Sequence, residues 1–378
     1  MDNISDNKCP TFYTMMLGIQ NIHLIKDVGR IPYILNTKYG YNSYIVSFGI
    51  PKCKFTYLNT NAKGISFSFC KNYTRYHLIN GIIWLWNNSK KIDILNLYHY
   101  TQSSFIWILI YKLKNPNGKI YLKLDIDGER GIQMKMNRRT AKWILTKYTL
   151  GKCKLISAET ETFCNFANKY WPIHLKWIPN GVLKEEIKNI TKKKKIILCV
   201  GRLGTKQKAT EILIESFEKA YTNISPEWKL WLVGSMEPEF ENYLLSKLNK
   251  NPELNKRITY LGQIYDRKEM CKIYEDAAII TLPSRWESFN MVALEALAKS
   301  AYLISSDLVS FREMTNYGEF GAHFQVDCID DYARKMITTC KLMDDQKLNF
   351  NKHRLFEHMC NQYCYEEICR KIDKYLRD

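Results

Sequence analysis

The chain has 378 residues, 46% apolar and 25% charged, a near-globular balance that excludes wholesale disorder and collagen-like or coiled-coil architectures. At about 100–200 residues per domain, that length suggests two domains. The formal net charge of +18 is lopsided, with +16 on residues 1–180 and only +2 on residues 181–378, which favours an anionic partner for the first half over a lysine-rich compositional bias.

In the first half, strands are expected at Thr11–Met16, Tyr44–Phe48, Ile92–Leu97, Lys119–Leu124, Leu155–Ser157 and Leu175–Ile178. Helical patterns at Val28–Lys38 and Ser103–Lys112 separate them, and Asn115-Pro116-Asn117-Gly118 supplies a turn. This alternation predicts βα units and a largely parallel sheet. Pro179-Asn180-Gly181 breaks the pattern, and the run Lys192–Lys195 solvates the start of the next strand.

The alternation then restarts. Strands are expected at Ile196–Val200, Trp228–Val233, Ile258–Leu261, Ala278–Leu282 and Tyr302–Ser305, with helices at Thr210–Tyr221, Phe240–Leu248, Arg267–Asp276 and Asn290–Ala298. A last helix, Tyr365–Leu376, has no remaining strand to cover. The expected organisation is therefore 1–180 and 181–360 as doubly wound domains, with 361–378 packing back on the first. Two such domains in tandem bind ligands in the crevice between them.

The longest apolar run, Phe105–Tyr111, falls far short of the roughly 20 residues that span a bilayer, so a soluble, intracellular protein is expected. No Cys-x-x-Cys pair occurs among the cysteines, which read as reduced and mostly buried. Cys360 and Cys364 follow His353 and His358, but without the ligand spacing of a zinc motif. The segment Tyr363–Ile372 reads instead as an amphipathic helix with Ile368 and Cys369 facing a core.

Two segments of the second half carry chemistry. The strand ending at Leu282 leads through a short loop to a helix starting near Phe289 or Asn290. Backbone N–H groups of Phe289, Asn290, Met291 and Val292 at such a start suit a phosphate. Glu287 precedes the helix and Glu295 lies two turns into it, and carboxylates at opposite ends of one ligand suit a sugar nucleotide. The alternative is that Ser288 caps the helix and both glutamates are solvated. Gly201-Arg202 ends another strand, with Lys208 at the next helix start. That arrangement aims a guanidinium fork, a point charge and amides at a diphosphate.

These residues resemble the donor-binding domain of glycosyltransferase family 4, retaining enzymes of the GT-B fold, from Ile178 to about Gly321. The resemblance rests on Ile178-Pro179-Asn180-Gly181-Val182, Val200-Gly201-Arg202-Leu203 with Lys208, and Leu232-Val233-Gly234. Ile258-Thr259-Tyr260-Leu261-Gly262 and the Glu-x7-Glu element from Glu287 to Glu295 complete it. It implies an α/β GT-B fold, two Rossmann-like domains facing across a cleft with the C-terminal helix returning to the N-terminal one. It implies a donor that is a nucleotide diphosphate sugar, UDP-linked by preference or GDP-linked, with no cofactor and no metal.

In the donor site so implied, Arg202 and Lys208 neutralise the diphosphate, Glu287 sits beside the transferred sugar and Glu295 holds the ribose. Gly201 and residues Ser288, Phe289, Asn290, Met291 and Val292 complete the phosphate and sugar contacts, and Ile264 packs the base. Gly29 falls where the family sets a glycine against the phosphates. Asp125 stands where many members have a sugar-touching histidine, and Arg130 matches a basic position. Catalytic candidates are thus Glu287, Arg202, Lys208 and Asp125. His99 and Arg130 are acceptor candidates, His99 being equally readable as a surface histidine. Asp125-Ile126-Asp127 spells a D-x-D that holds a metal in another transferase fold and is taken here as a decoy. The chain departs from the family at Asn290, Ala209 and Ser300, where glycine is frequent, and more mildly at Ser288.

The expected acceptor is a glycan or lipid-linked hydroxyl, as in surface polysaccharide or lipopolysaccharide assembly. The basic half would dock at the anionic inner face of the cytoplasmic membrane, without nucleic acid. Two other readings stand beside this one: a basic nucleic-acid-binding protein without catalysis, and another GT-B enzyme such as a phosphorylase or epimerase.

Overall fold

The computed structural model describes residues 9–49, 55–60, 62–133 and 140–378. These fall into two compact units, one of residues up to 126, 130–181 and 365–378, the other of 127–129 and 182–364. Cys53, among the cysteines expected to be reduced, lies outside the described residues; the other eleven form no disulfide among the described residues.

The first unit is built on a seven-stranded sheet. Its strands are β1 (Thr11–Met15), β2 (Asn42–Phe48), β3 (Ser66–Cys70), β4 (Ile94–Tyr98), β5 (Lys119–Lys123), β6 (Leu155–Ala158) and β7 (Lys176–Trp177). They lie in the order β3-β2-β1-β4-β5-β6-β7, every pairing parallel. The second sheet has β8 (Lys194–Val200), β9 (Lys229–Val233), β10 (Ile258–Tyr260), β11 (Ala277–Leu282), β12 (Tyr302–Ser306) and β13 (Gly321–Phe324), ordered β10-β9-β8-β11-β12-β13 and also parallel throughout. The α/β reading of two parallel sheets therefore holds. β3 and β13 are edge strands that the sequence pattern did not suggest.

Helices cover both faces of the second sheet, which is why β8, β11 and β12 are almost continuously apolar. Ile197, Ile279 and Ile304 pack on one face with Leu213, Phe217 and Met336. Ile196, Leu198 and Ile280 pack on the other with Leu294 and Leu297. In each sheet the strand order reverses beside its first strand, between β1 and β4 and between β8 and β11. The loops leaving such a pair diverge to opposite faces, and the carboxyl edge there is the natural ligand position.

The final helix, Tyr365–Arg377, belongs to the first unit. Ile368, Cys369 and Ile372 on its inner face are buried, as the amphipathic pattern predicted. Its outer turns are tied to the helix Asp27–Tyr39 and its C-cap region: Tyr41 Oη donates to Asp373 Oδ1 at 2.7 Å and Tyr39 Oη to the Glu366 carbonyl at 3.1 Å. His358 is used in packing, with Nε2 3.1 Å from the Met314 carbonyl and its ring beside Phe320. Among the described residues no helix is long and apolar enough to cross a membrane.

Gly29 has a packing reason for being glycine. It lies in the first turn of the helix Asp27–Tyr39, where a Cβ would sit 2.2 Å from the Leu24 carbonyl oxygen and 2.5 Å from its Cα. Neither is a flexible side-chain end, so an added methyl must push two backbones apart. Gly29→Ala is expected to destabilise the first unit by about 1–3 kcal/mol, the usual range for overpacking. Urea denaturation checks this, and an unchanged midpoint would remove the packing explanation.

Candidate active site

The loops leaving β8 and β11 meet at the second sheet's strand-order reversal. Gly201 N donates to the Val233 carbonyl at 3.0 Å, and Gly234 N to the Gly262 carbonyl at 2.8 Å. Gly234 has φ +130°, and a Cβ there would lie 1.9 Å from the Gly201 carbonyl oxygen, so only glycine lets the two loops run this close. The β8 loop then curls through Lys208 N to the Thr205 carbonyl at 3.0 Å and enters the helix Thr210–Ala220.

Three contacts join this loop to the segment after β11. Arg285 N donates to the Gln207 carbonyl at 2.8 Å, and Gln207 Nε2 to the Trp286 carbonyl at 3.0 Å. The Arg285 guanidinium also donates to the Lys206 carbonyl, Glu211 and Asp327, each at 2.7 Å. Neither Gln207 nor Arg285 was among the sequence candidates; the side-chain amide and guanidinium here act on loop backbones, which leaves no motif.

The seam brings the candidate groups together. Lys208 Nζ lies 2.5 Å from Glu287 Oε1, and Asn290 Nδ2 donates to the same oxygen at 3.0 Å. Glu287 is buried. Arg202 Nη2 donates to Gln207 Oε1 at 3.1 Å. Arg202, Lys208, Glu287 and Asn290 thus share one loop pair, with Gly201 beneath the Lys208 stem.

One detail needs correction. The helix starts at Met291, not at Phe289 or Asn290, and runs only to Leu297. Its cap is Asn290, whose Oδ1 accepts from Ala293 N at 3.1 Å; Ser288 lies outside. Met291 and Val292 are therefore the first-turn amides, Asn290 is the cap residue and Phe289 precedes the cap.

Glu295 stands apart from Glu287. Its Oε1 accepts from Arg267 Nη1 at 3.2 Å, and Arg267 Nη2 reaches Glu186 Oε1 at 2.6 Å. Tyr274 also hydrogen-bonds Glu295; burial first, then that carboxylate, holds the Tyr274 hydroxyl well above its ordinary pKa. A small cavity lies between Val182, Glu186, Arg267, Met270, Tyr274 and Glu295. Arg267 was missed as a site residue. Its signal was a cation in the first turn of a helix, where the dipole disfavours it unless an anion is nearby. Ile264 is half-buried against the core cluster beside this region.

In the first unit, Lys123 is buried at the end of β5. Its Nζ donates to the Ile178 carbonyl at 3.1 Å and lies 3.8 Å from Glu159 Oε1, which also accepts from Asn180 Nδ2 at 2.6 Å. His99 follows β4 at φ +59°, its N donating to the Lys123 carbonyl at 2.9 Å. Asp125 is exposed and lies close enough to the buried Glu159 to raise its carboxyl pKa. Asp127 Oδ1 instead accepts from Glu129 N at 3.0 Å, so the two carboxylates of the D-x-D have separate tasks. Arg130 is exposed on the short helix Gly128–Gln133.

Residues 194–341, which contain the β8 and β11 loops, match the family model described as glycosyl transferases group 1. The match covers less than half of the chain and lies within the second unit. Among curated relatives, N-acetyl-alpha-D-glucosaminyl L-malate synthase of Bacillus anthracis is 27% identical over 52% of the chain and 48% of its own length. The UDP-Gal:alpha-D-GlcNAc-diphosphoundecaprenol alpha-1,3-galactosyltransferase of Escherichia coli is 23% identical over 54% of the chain and 53% of its own. The chain thus spans about half the length of these relatives. The Anabaena protein Alr3699/HepE, solved with UDP, superimposes with a TM-score of 0.70 over 97% of this chain and 99% of its own, at 15% identity. The fold is GT-B.

Two of the chain's departures from the pattern it resembles occupy glycine-like backbone. Ala209 has φ +47° and Ser300 φ +61°. Ser300 offsets the strain with its hydroxyl, which accepts from Ile190 N at 3.0 Å and donates to the Lys188 carbonyl at 2.9 Å. Asn290 has an ordinary negative φ and serves as cap and Glu287 ligand.

Burial raises the Glu159 carboxyl well above its ordinary pKa; Lys123 opposes this, and Asp125 and Asp27 reinforce it. Asp27 is itself raised, by burial first and then by Asp125, against Lys123 and His99. A carboxyl raised on folding contributes stability that is complete below its unfolded pKa and is lost as pH rises through the folded value. Glu159→Gln keeps a donor toward Asp125 without a titrating proton. Its stability is therefore expected to fall less than the wild type's between weakly acidic and alkaline pH in urea denaturation. Parallel pH profiles would show that Glu159 does not hold the proton.

Proposed function

We propose that the chain is a retaining glycosyltransferase that moves a sugar from a nucleotide diphosphate sugar to a hydroxyl of a glycan or lipid-linked acceptor. The observation that carries this reading is the cluster of Arg202, Lys208, Glu287 and Asn290 at the strand-order reversal of the family-matched unit. A diphosphate leaving group builds negative charge as its bond to the sugar breaks, and Arg202 and Lys208 stabilise that charge where it forms. Lys208 exchanges Glu287 for a phosphate oxygen when the donor enters, which releases the Glu287 carboxylate to a sugar hydroxyl. The acceptor oxygen attacks the anomeric carbon from the face the diphosphate leaves, and its proton passes to a diphosphate oxygen. Glu295, held by Arg267, grips the ribose, and Asp125 is the sugar-contacting candidate of the first unit.

UDP in the bound state of the Anabaena protein supports a UDP-linked donor, with GDP as the other option. The Escherichia coli relative's lipid-diphosphate acceptor supports a similar acceptor class, and with it surface polysaccharide or lipopolysaccharide assembly. The +16 charge of residues 1–180 supports peripheral docking at an anionic membrane face.

A thermal-shift series with UDP-, GDP- and ADP-sugars tests the donor. A ligand at about 100 times its dissociation constant adds about 2.7 kcal/mol of stability. One nucleotide class is expected to raise the melting temperature, and Lys208→Ala and Glu295→Ala are expected to abolish that rise. No rise with any of the three would overturn the reading. Product analysis with and without inorganic phosphate separates a transferase from a phosphorylase.

A further inference from the structure

The helix Ala141–Leu150 is folded inside out. Its inner face carries Thr146, Thr149 and Leu150, all buried, and its outer arc of about 100° carries Ile144, Tyr148 and Leu145. Those three side chains are 61%, 60% and 50% exposed. The inner hydroxyls are satisfied locally, Thr149 by donating to the Leu145 carbonyl at 2.9 Å and Thr146 by bonding Tyr100. Nothing in the unit's own packing therefore asks for three large apolar groups outside. Eleven of the sixteen large apolar side chains left exposed among the described residues lie in this first unit, which also bears the basic excess.

The exposed apolar groups are interleaved with cations. Lys152 Nζ lies 4.1 Å above the Tyr148 ring, and Lys147 Nζ 5.2 Å above Trp143. The neighbouring helix Gln102–Lys114 touches Ala141–Leu150 on one side and His77–Asn88 on the other. It contributes Leu113, 66% exposed, and Lys114, whose Nζ lies 4.1 Å above the half-exposed Trp86 ring. Lys112, on the same helix, is close enough to Lys152 to feel its charge. One side of the sheet thus presents aliphatic tips, amphipathic rings and ammonium groups together.

We propose that this three-helix face seats the first unit on an anionic lipid bilayer, with Ile144, Leu145 and Tyr148 entering the headgroup–acyl boundary and Lys114, Lys147 and Lys152 meeting lipid phosphates. The inference rests on the membrane-docking reading above and gives it a place. Interfacial helices bind by this combination of buried apolar area and basic charge. A second copy of the chain fits less well, because the same lysines would face each other and a narrow strip falls short of the ~800 Å² per partner of a stable interface. A nucleic acid would meet the lysines but leave the aliphatic tips in water.

The test is co-sedimentation with vesicles of phosphatidylcholine alone and of phosphatidylcholine mixed with an equal part of phosphatidylglycerol. The wild type is expected to bind the mixed vesicles in preference. Ile144→Asp with Leu145→Asp should weaken that binding about tenfold or more, and Lys114→Glu with Lys152→Glu by a comparable factor that shrinks in high salt. All four substitutions are at the surface, and the nucleotide-sugar thermal shift should be unchanged in both variants, which separates this proposal from the donor reading. Wild-type binding that both variants retain would overturn the face while leaving membrane docking intact. No wild-type binding to either vesicle would overturn both. Concentration-dependent dimerisation abolished by the aspartates would assign the face to a second copy instead.

Discussion

The ion pair between Lys208 and Glu287 organises the second unit's carboxyl edge. A buried carboxylate without a partner is costly, and here its partners come from two loops that leave the sheet in opposite directions. Gln207 and Arg285 lock the β8 and β11 loop backbones that carry the pair, and Gly234 lets the loop after β9 pass within contact of Gly201 beneath the Lys208 stem. Each charge is then held short of full solvation. Such a pair is poised to exchange partners with a ligand that brings phosphate oxygens to the lysine and hydroxyls to the glutamate.

The donor-side residues were legible from sequence because they sit at strand ends marked by glycine and at helix starts marked by polar residues. Arg267–Asp276 forms the expected helix residue for residue, and β8 through β12 lie where the apolar runs place them. What was not legible has physical causes. β3, Ser66–Cys70, and β13, Gly321–Phe324, are short edge strands with few β-branched residues. The true helix start at Met291 depends on whether Ser288 caps Met291 N or Asn290 caps Ala293 N, a choice between two good caps that only the loop path decides. Arg267 looked like an ordinary surface cation until Glu186 and Glu295 were seen on either side of it.

The first unit was harder to read because its informative contacts join residues far apart in sequence. Lys123, Glu159, Ile178 and Asn180 come from the ends of three strands and the linker, and no spacing announces them. Asp125 in a position often held by histidine looked like an isolated loss. Behind it stands the buried Glu159, whose carboxyl is raised by burial first and by Asp125 among its neighbours. Gly29, expected at a phosphate contact, has in addition a packing reason for being glycine in the backbone of Leu24.

The inverted helix Ala141–Leu150 explains why periodicity alone did not mark it as an element. A pattern-based reading looks for apolar residues on the covered face, and here threonines take that place. Inversion is costly unless something outside removes the apolar groups from water, since three large side chains exposed on one arc forgo the transfer energy that a core would give them. Local propensity does not supply the compensation, because isoleucine and tyrosine are only moderate helix formers. On the proposed reading the compensation comes from beyond the unit's own packing, and the lysines stacked on the adjacent rings suit an environment that is both apolar and anionic. A bilayer interface is the environment that has both properties within one side-chain length.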